Sequence, residues 1–63
     1  MKYLVMFYSE DDLFVESFGT KELAENFIAS CVKCGERVQE VWKGYKIDFE
    51  AVEVTTKVNI KEP

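Results

Sequence analysis

The sequence predicts an α+β fold in which one amphipathic helix, about residues 20–34, packs on a four- to five-stranded antiparallel sheet in the order β-β-α-β-β. Three observations predict it. Two apolar runs, Lys2–Tyr8 and Leu13–Phe18, flank the polar turn Ser9-Glu10-Asp11-Asp12. Apolar residues then recur at helical spacing between Thr20 and Gly35. From Tyr45 to Ile60 the chain is rich in β-branched residues that alternate in and out.

The first run, KYLVMFY, is apolar on both alternating faces, which suits a central strand or one covered on both sides. In the second, Phe14 and Phe18 share one face while Leu13 and Val15 share the other. A hairpin is the simplest link between the two.

The helix is expected to start at Thr20, whose hydroxyl can accept a hydrogen bond from an early backbone N–H. Glu22 then places negative charge in the first turn, where the helix dipole favours it. Gly35 fits a C-terminal stop. Leu23, Ala24, Phe27, Ile28, Cys31 and Cys34 form the expected buried stripe, with Glu22, Glu25, Asn26, Ser30 and Lys33 opposite. Beyond it, Glu36–Trp42 reads as a strand anchored by Val38, Val41 and Trp42, and Lys43-Gly44 as a turn. Tyr45, Ile47 and Phe49 then alternate on odd positions, but Val52, Val54, Thr56, Val58 and Ile60 on even ones. A bulge near Glu50-Ala51 explains that phase change, and so do two separate strands. Lys61-Glu62-Pro63 is expected to fray. The second sheet face is expected to be open or covered by a second copy.

Sixty-three residues make a single domain, 1–63, with a small core. Nine aromatic residues supply enough apolar mass for that core and argue against disorder. The formal net charge of −4 argues against direct nucleic-acid binding and favours a basic partner. No apolar run reaches membrane-spanning length, and no signal-peptide pattern opens the chain. A cytoplasmic protein with reduced thiols is expected.

Cys31-Val-Lys-Cys34 matches a redox motif in text, but such pairs work at helix N-termini, where the dipole stabilises a thiolate. Here the pair sits at the opposite end. A structural zinc needs four ligands, so zinc would have to be shared between two chains. Core packing is the simpler account of both cysteines. No cofactor, metal or catalytic residue is expected, because histidine is absent and there is one arginine.

The candidate partner-binding residues are carboxylates and aromatics. Glu10, Asp11 and Asp12 crowd the first hairpin, and Asp48, Glu50 and Glu53 lie along the last strand segment. Solvated turn and edge charge is the simpler account of them, and such charge also guards a strand against aggregation. Trp42 and Tyr45 are candidate interface anchors, although ordinary core or sheet packing is the simpler reading of the aromatics. Stacking of single-stranded nucleic acid would need a basic groove, and the nearby cations are Lys2, Arg37, Lys43 and Lys46.

The run Phe18-Gly19-Thr20-Lys21-Glu22-Leu23-Ala24-Glu25-Asn26-Phe27 and the later Glu40-Val41-Trp42-Lys43-Gly44 resemble small bacteriophage accessory proteins of sheet–helix–sheet organisation. In these the helix opens at a phrase like F-x-T-x-E-x-A. The resemblance implies a non-enzymatic inhibitor or antitoxin-like factor that binds a host protein, such as a nuclease, a toxin or a transcription factor. Charge mimicry of nucleic acid is one way to do so. The alternatives from other classes are a self-assembling homodimer that pairs its final strand, and a zinc protein built on the cysteine pair.

Overall fold

A computed structural model describes residues 2–52 and 57–62. It contains β1 (Tyr3–Ser9), β2 (Asp12–Phe18), α1 (Lys21–Lys33), β3 (Arg37–Trp42), β4 (Lys46–Val52) and β5 (Lys57–Lys61). The five strands form one antiparallel sheet in the order β2-β1-β3-β4-β5. The expected α+β class holds, with a fifth strand. Residues 45–60 thus supply two strands rather than one, with Phe49 opposite Ile60. That pairing explains why Val58 and Ile60 are apolar at even positions where Ile47 and Phe49 are apolar at odd ones. Val54 and Thr56 lie outside the described residues.

Strands β1 and β2 join through Glu10-Asp11, both with positive φ (52° and 70°). Ser9 pairs with Asp12 across this two-residue loop, which gives a type I′ hairpin. Left-handed backbone suits Asn and Gly there, whereas an acidic residue costs about 1 kcal/mol.

Helix α1 is closed at both ends. Thr20 Oγ1 accepts from the Leu23 N–H at 3.2 Å. At the other end the Glu36 N–H donates to the Cys31 carbonyl and the Gly35 N–H to the Val32 carbonyl, at 2.8 and 3.2 Å. This is a Schellman stop, and it needs the left-handed Gly35 (φ 81°).

The helix buries Ala24, Ile28 and Cys31. The core joins Ala24 and Ile28 to Tyr3, Val5, Val41, Ile47 and Ile60, one sheet face across four strands. Phe7 stacks on Phe14 and meets Phe27 edge-on, and Phe27 also packs against Phe18, with ring centroids 5.0–5.7 Å apart.

Two members of the expected stripe are outside it. Leu23 is 53 % exposed, and Cys34 is the exposed C-cap residue. At about 100° per residue, Leu23 is turned well away from the centre of the face that Ala24, Ile28 and Cys31 define. Glu25, expected on the outer side, is half-buried instead. It flanks the true stripe, and its Oε2 accepts from the Ile60 N–H at 2.9 Å.

Lys61 and Glu62, expected to fray, are anchored, and Pro63 lies outside the described residues. The Tyr3 hydroxyl donates to Glu62, and Lys43 Nζ donates to the Tyr3 oxygen at 3.2 Å while lying 4.7 Å from the centre of its ring. These contacts tie the end of β5 back to β1. The pairing of β3 with β4 covers Val41–Ile47 and Trp42–Lys46, so the sheet can curl at this seam.

Candidate functional site

Among the described residues one helix covers one face of the sheet and nothing covers the opposite face, which is bare. Strand register assigns Leu4, Met6 and Tyr8 of β1 to this bare face, with Leu13, Val15 and Ser17 of β2 and Arg37, Glu40 and Trp42 of β3. Leu4, Leu13 and Val15 are 40 %, 47 % and 53 % exposed. A shallow and mostly apolar groove runs between Leu4, Met6, Val15, Trp42 and Gly44. Water would normally select polar side chains here.

Polar contacts fix Trp42 at the groove. Its Nε1–H donates to Glu40 Oε1 at 3.2 Å, and Glu40 Oε2 pairs with Lys46 at 3.4 Å. The indole and then Lys46 hold the Glu40 carboxyl below the usual carboxylate range. Tyr45, 44 % exposed, follows in the turn 43–45, which closes with the Lys43 N–H on the Tyr45 carbonyl at 2.9 Å. Trp42 therefore borders one end of the bare face, and Tyr45 is exposed in the adjoining turn.

The carboxylates do not gather into one patch. Glu10, Asp11 and Asp12 sit at the β1–β2 hairpin, where Glu10 and Asp11 border an open cleft with Tyr8, Gly35 and Arg37. The Arg37 guanidinium lies 4.9 Å over the Tyr8 ring. Asp48 and Glu50 are on β4, three strand spacings or about 14 Å across the sheet from β2. Glu50 pairs with Lys61 at 2.6 Å, which lowers its carboxyl pKa. Asp48 stands opposite the same lysine in register. Glu53 lies outside the described residues.

The Tyr3–Lys43–Glu62 cluster is the other polar convergence. Its hydrogen bond to Glu62, then burial, raises the Tyr3 phenol above its ordinary value, and the same bond lowers the Glu62 carboxyl. Lys43 is raised, first by its bond to Tyr3. All three groups thus favour their ordinary charge states, phenol, ammonium and carboxylate, so the cluster is a brace with no group poised to exchange a proton near neutrality.

The two thiols are separated by environment. Cys31 is 1 % exposed, and burial, followed by the nearby Glu36, pushes its thiol up to about 11. A thiol held protonated is a poor nucleophile and a poor metal ligand. Cys34 is exposed and points the pair away from a shared buried site. Among the described residues no three His, Cys, Asp or Glu side chains converge as a metal site. At neutral pH a thiol reagent should therefore modify one cysteine, Cys34, in the native protein and both after denaturation. Equal labelling of Cys31 and Cys34 in the native state would contradict this placement.

The groove residues Leu4, Met6 and Val15 were absent from the candidate set, as was Glu25. The signal for the first three is the apolar filling of both faces of Lys2–Tyr8, continued by Val15 in β2. The signal for Glu25 is Val32, which extends the apolar stripe towards its side of the helix. Among the described residues, no helix is long and apolar enough to cross a membrane. No protein-family model, curated protein or solved structure matches this chain.

Proposed function

We propose that this chain is a small acidic protein-binding module that acts as an inhibitor, in the manner of an antitoxin or of a phage factor directed against host functions. It docks on a protein partner with its bare sheet face. The observation that carries this reading is the apolar groove of Leu4, Met6, Val15 and Trp42 on a face the helix does not cover. A tryptophan fixed in such a groove is the kind of anchor that dominates interface energies.

The net charge of −4 supports a basic partner, a nucleic-acid-binding protein above all. The hairpin tip adds to that support. Glu10 and Asp11 keep carboxylates at two left-handed positions where Asn-Gly would relieve strain, and such strain gathers at functional sites. Trp42, Tyr45 and the groove supply contact area, while Glu10, Asp11 and Asp12 steer the approach, with Asp48 and Glu50 at the far margin; Glu53, outside the described residues, is proposed with them from the sequence alone. No reaction, cofactor or metal is assigned, and the cytoplasm is the compartment proposed.

Affinity capture from cells that carry the gene tests this. The bait is compared with a Leu4→Lys/Trp42→Ala variant and with a Glu10→Lys/Asp11→Lys/Asp12→Lys variant, each checked for native circular dichroism. The groove variant is expected to lose at least about tenfold in affinity, the loss typical of one interface anchor. The charge variant is expected to lose the salt-sensitive part of binding. A partner held equally by all three baits would overturn the proposal.

A further inference from the structure

The two edges of the sheet are treated differently. At the β5 edge, Glu25 accepts the Ile60 N–H, so an incoming strand would have to displace a carboxylate. Strand β5 is also short, five residues, and begins and ends in lysine. Strand β2 at the other edge lacks most of the usual protections, its charges being Asp12 and Glu16 alone. It is seven residues long, its pairing with β1 is free of bulges, and it contains no Lys or Pro. Every residue from Asp12 to Ser17 is exposed.

The hairpin fixes which groups this edge offers. The closing pair of a two-residue type I′ hairpin is hydrogen-bonded, so Asp12, Phe14, Glu16 and Phe18 turn their N–H and C=O groups to β1. Leu13, Val15 and Ser17 turn theirs outward. An antiparallel copy related by a two-fold axis at Val15 then pairs outward groups with outward groups. Val15 meets Val15, and Leu13 meets Ser17, twice. All seven residues of each strand are engaged.

We propose that β2 pairs with β2 of a second copy in this register, joining two five-stranded sheets into one continuous sheet with both helices on the same side. Neighbouring registers are worse. An axis at Phe14 sets Asp12 against Glu16 twice, and an axis at Glu16 sets Glu16 against itself. The Val15 register instead puts Phe14 opposite Glu16 and Asp12 opposite Phe18, with no carboxylate facing another. On the helix side Phe14 meets Phe14 of the second copy on the diagonal, within aromatic reach, and extends the row begun by Phe7 and Phe27. On the bare side the two apolar grooves meet along Val15 and become one strip.

This pairing stands independently of the partner-binding reading, and it leaves Trp42 free. It also has the opposite salt dependence. Its nearest like charges, Glu16 with Asp12 and with Glu16 of the second copy, are diagonal and solvated, so salt should strengthen the dimer, whereas it should weaken docking on a basic partner.

Sedimentation of the full chain from micromolar to near-millimolar concentration tests it. The expected result is a shift from 7.3 kDa towards twice that mass. Val15→Lys and Val15→Glu each place like charges on the two-fold axis and should each sediment as monomers. Their equimolar mixture should recover the dimer, because Lys then faces Glu. Val15 is 53 % exposed, so both variants should keep the native circular dichroism. A wild-type chain that stays monomeric, a dimer that survives both substitutions, or a mixture that fails to recover it would overturn the proposal.

Discussion

Replacing Ile28 with Ala should remove about half of the stability of the protein. Ile28 is fully buried at the centre of α1, in the cluster with Val5, Val41, Ile47 and Ile60. Truncation forfeits the transfer energy of three carbons and leaves a cavity that one short helix cannot collapse, which costs about 3 kcal/mol. A domain of this size holds roughly 6 kcal/mol in total. The expected result is a fall in melting temperature of about 15 °C or more. Ile28→Val, which removes one methylene, should cost about 1 kcal/mol. Thermal melts followed by circular dichroism check both, and equal melting temperatures for Ile28→Ala and the wild type would place the core elsewhere.

Replacing Glu25 with Ala should have the next largest effect, although it deletes a polar residue that the helical pattern places on the solvent side. The Ile60 N–H would lose its acceptor while Ile60 stays buried. An orphaned donor of this kind costs about 1–2 kcal/mol. The substitution also opens the second sheet edge. The Ile60 amide should exchange with solvent at least about tenfold faster, the factor that 1.4 kcal/mol of local opening corresponds to. Glu25→Gln keeps an acceptor oxygen and should restore most of the protection. Unchanged exchange at Ile60 in Glu25→Ala would show that this edge is closed by something other than the helix.

The elements that local physics dictates were legible in the sequence. Thr20 and Gly35 bracket the helix because a hydroxyl cap and a left-handed glycine are chemical requirements of helix ends. The first hairpin was legible because two apolar runs flank a short acidic turn. Residues 45–60 were not, because a phase change looks the same whether a strand bulges or turns back. Nor was strand order, which depends on pairings between segments distant in the chain.

Side-chain roles at the margins of a stripe were the hardest to read. Leu23 and Cys34 are apolar and lie near helical spacing, yet both are exposed. Their nominal positions are within a turn of truly buried residues, and only the placement of the sheet decides between them. Glu25 shows the converse. Its carboxylate becomes structural because β5 ends where the helix can reach it. The candidate site was half legible. Trp42 and Tyr45 stood out as large aromatics, but the groove also needs Leu4, Met6 and Val15. Each of these belongs to a strand whose second face had no assigned neighbour until the sheet was assembled.

Docking by the bare face of the sheet is tested by hydroxyl-radical footprinting of the protein with and without its captured partner. Met6 and Trp42 are intrinsically reactive side chains on that face, while Leu23 and Cys34 report from the exposed side of the helix and its end. The expected result is a loss of oxidation at Met6 and Trp42 on binding, with Leu23 and Cys34 unchanged. Protection of Leu23 and Cys34, with Met6 and Trp42 oxidised as in the free protein, would contradict it.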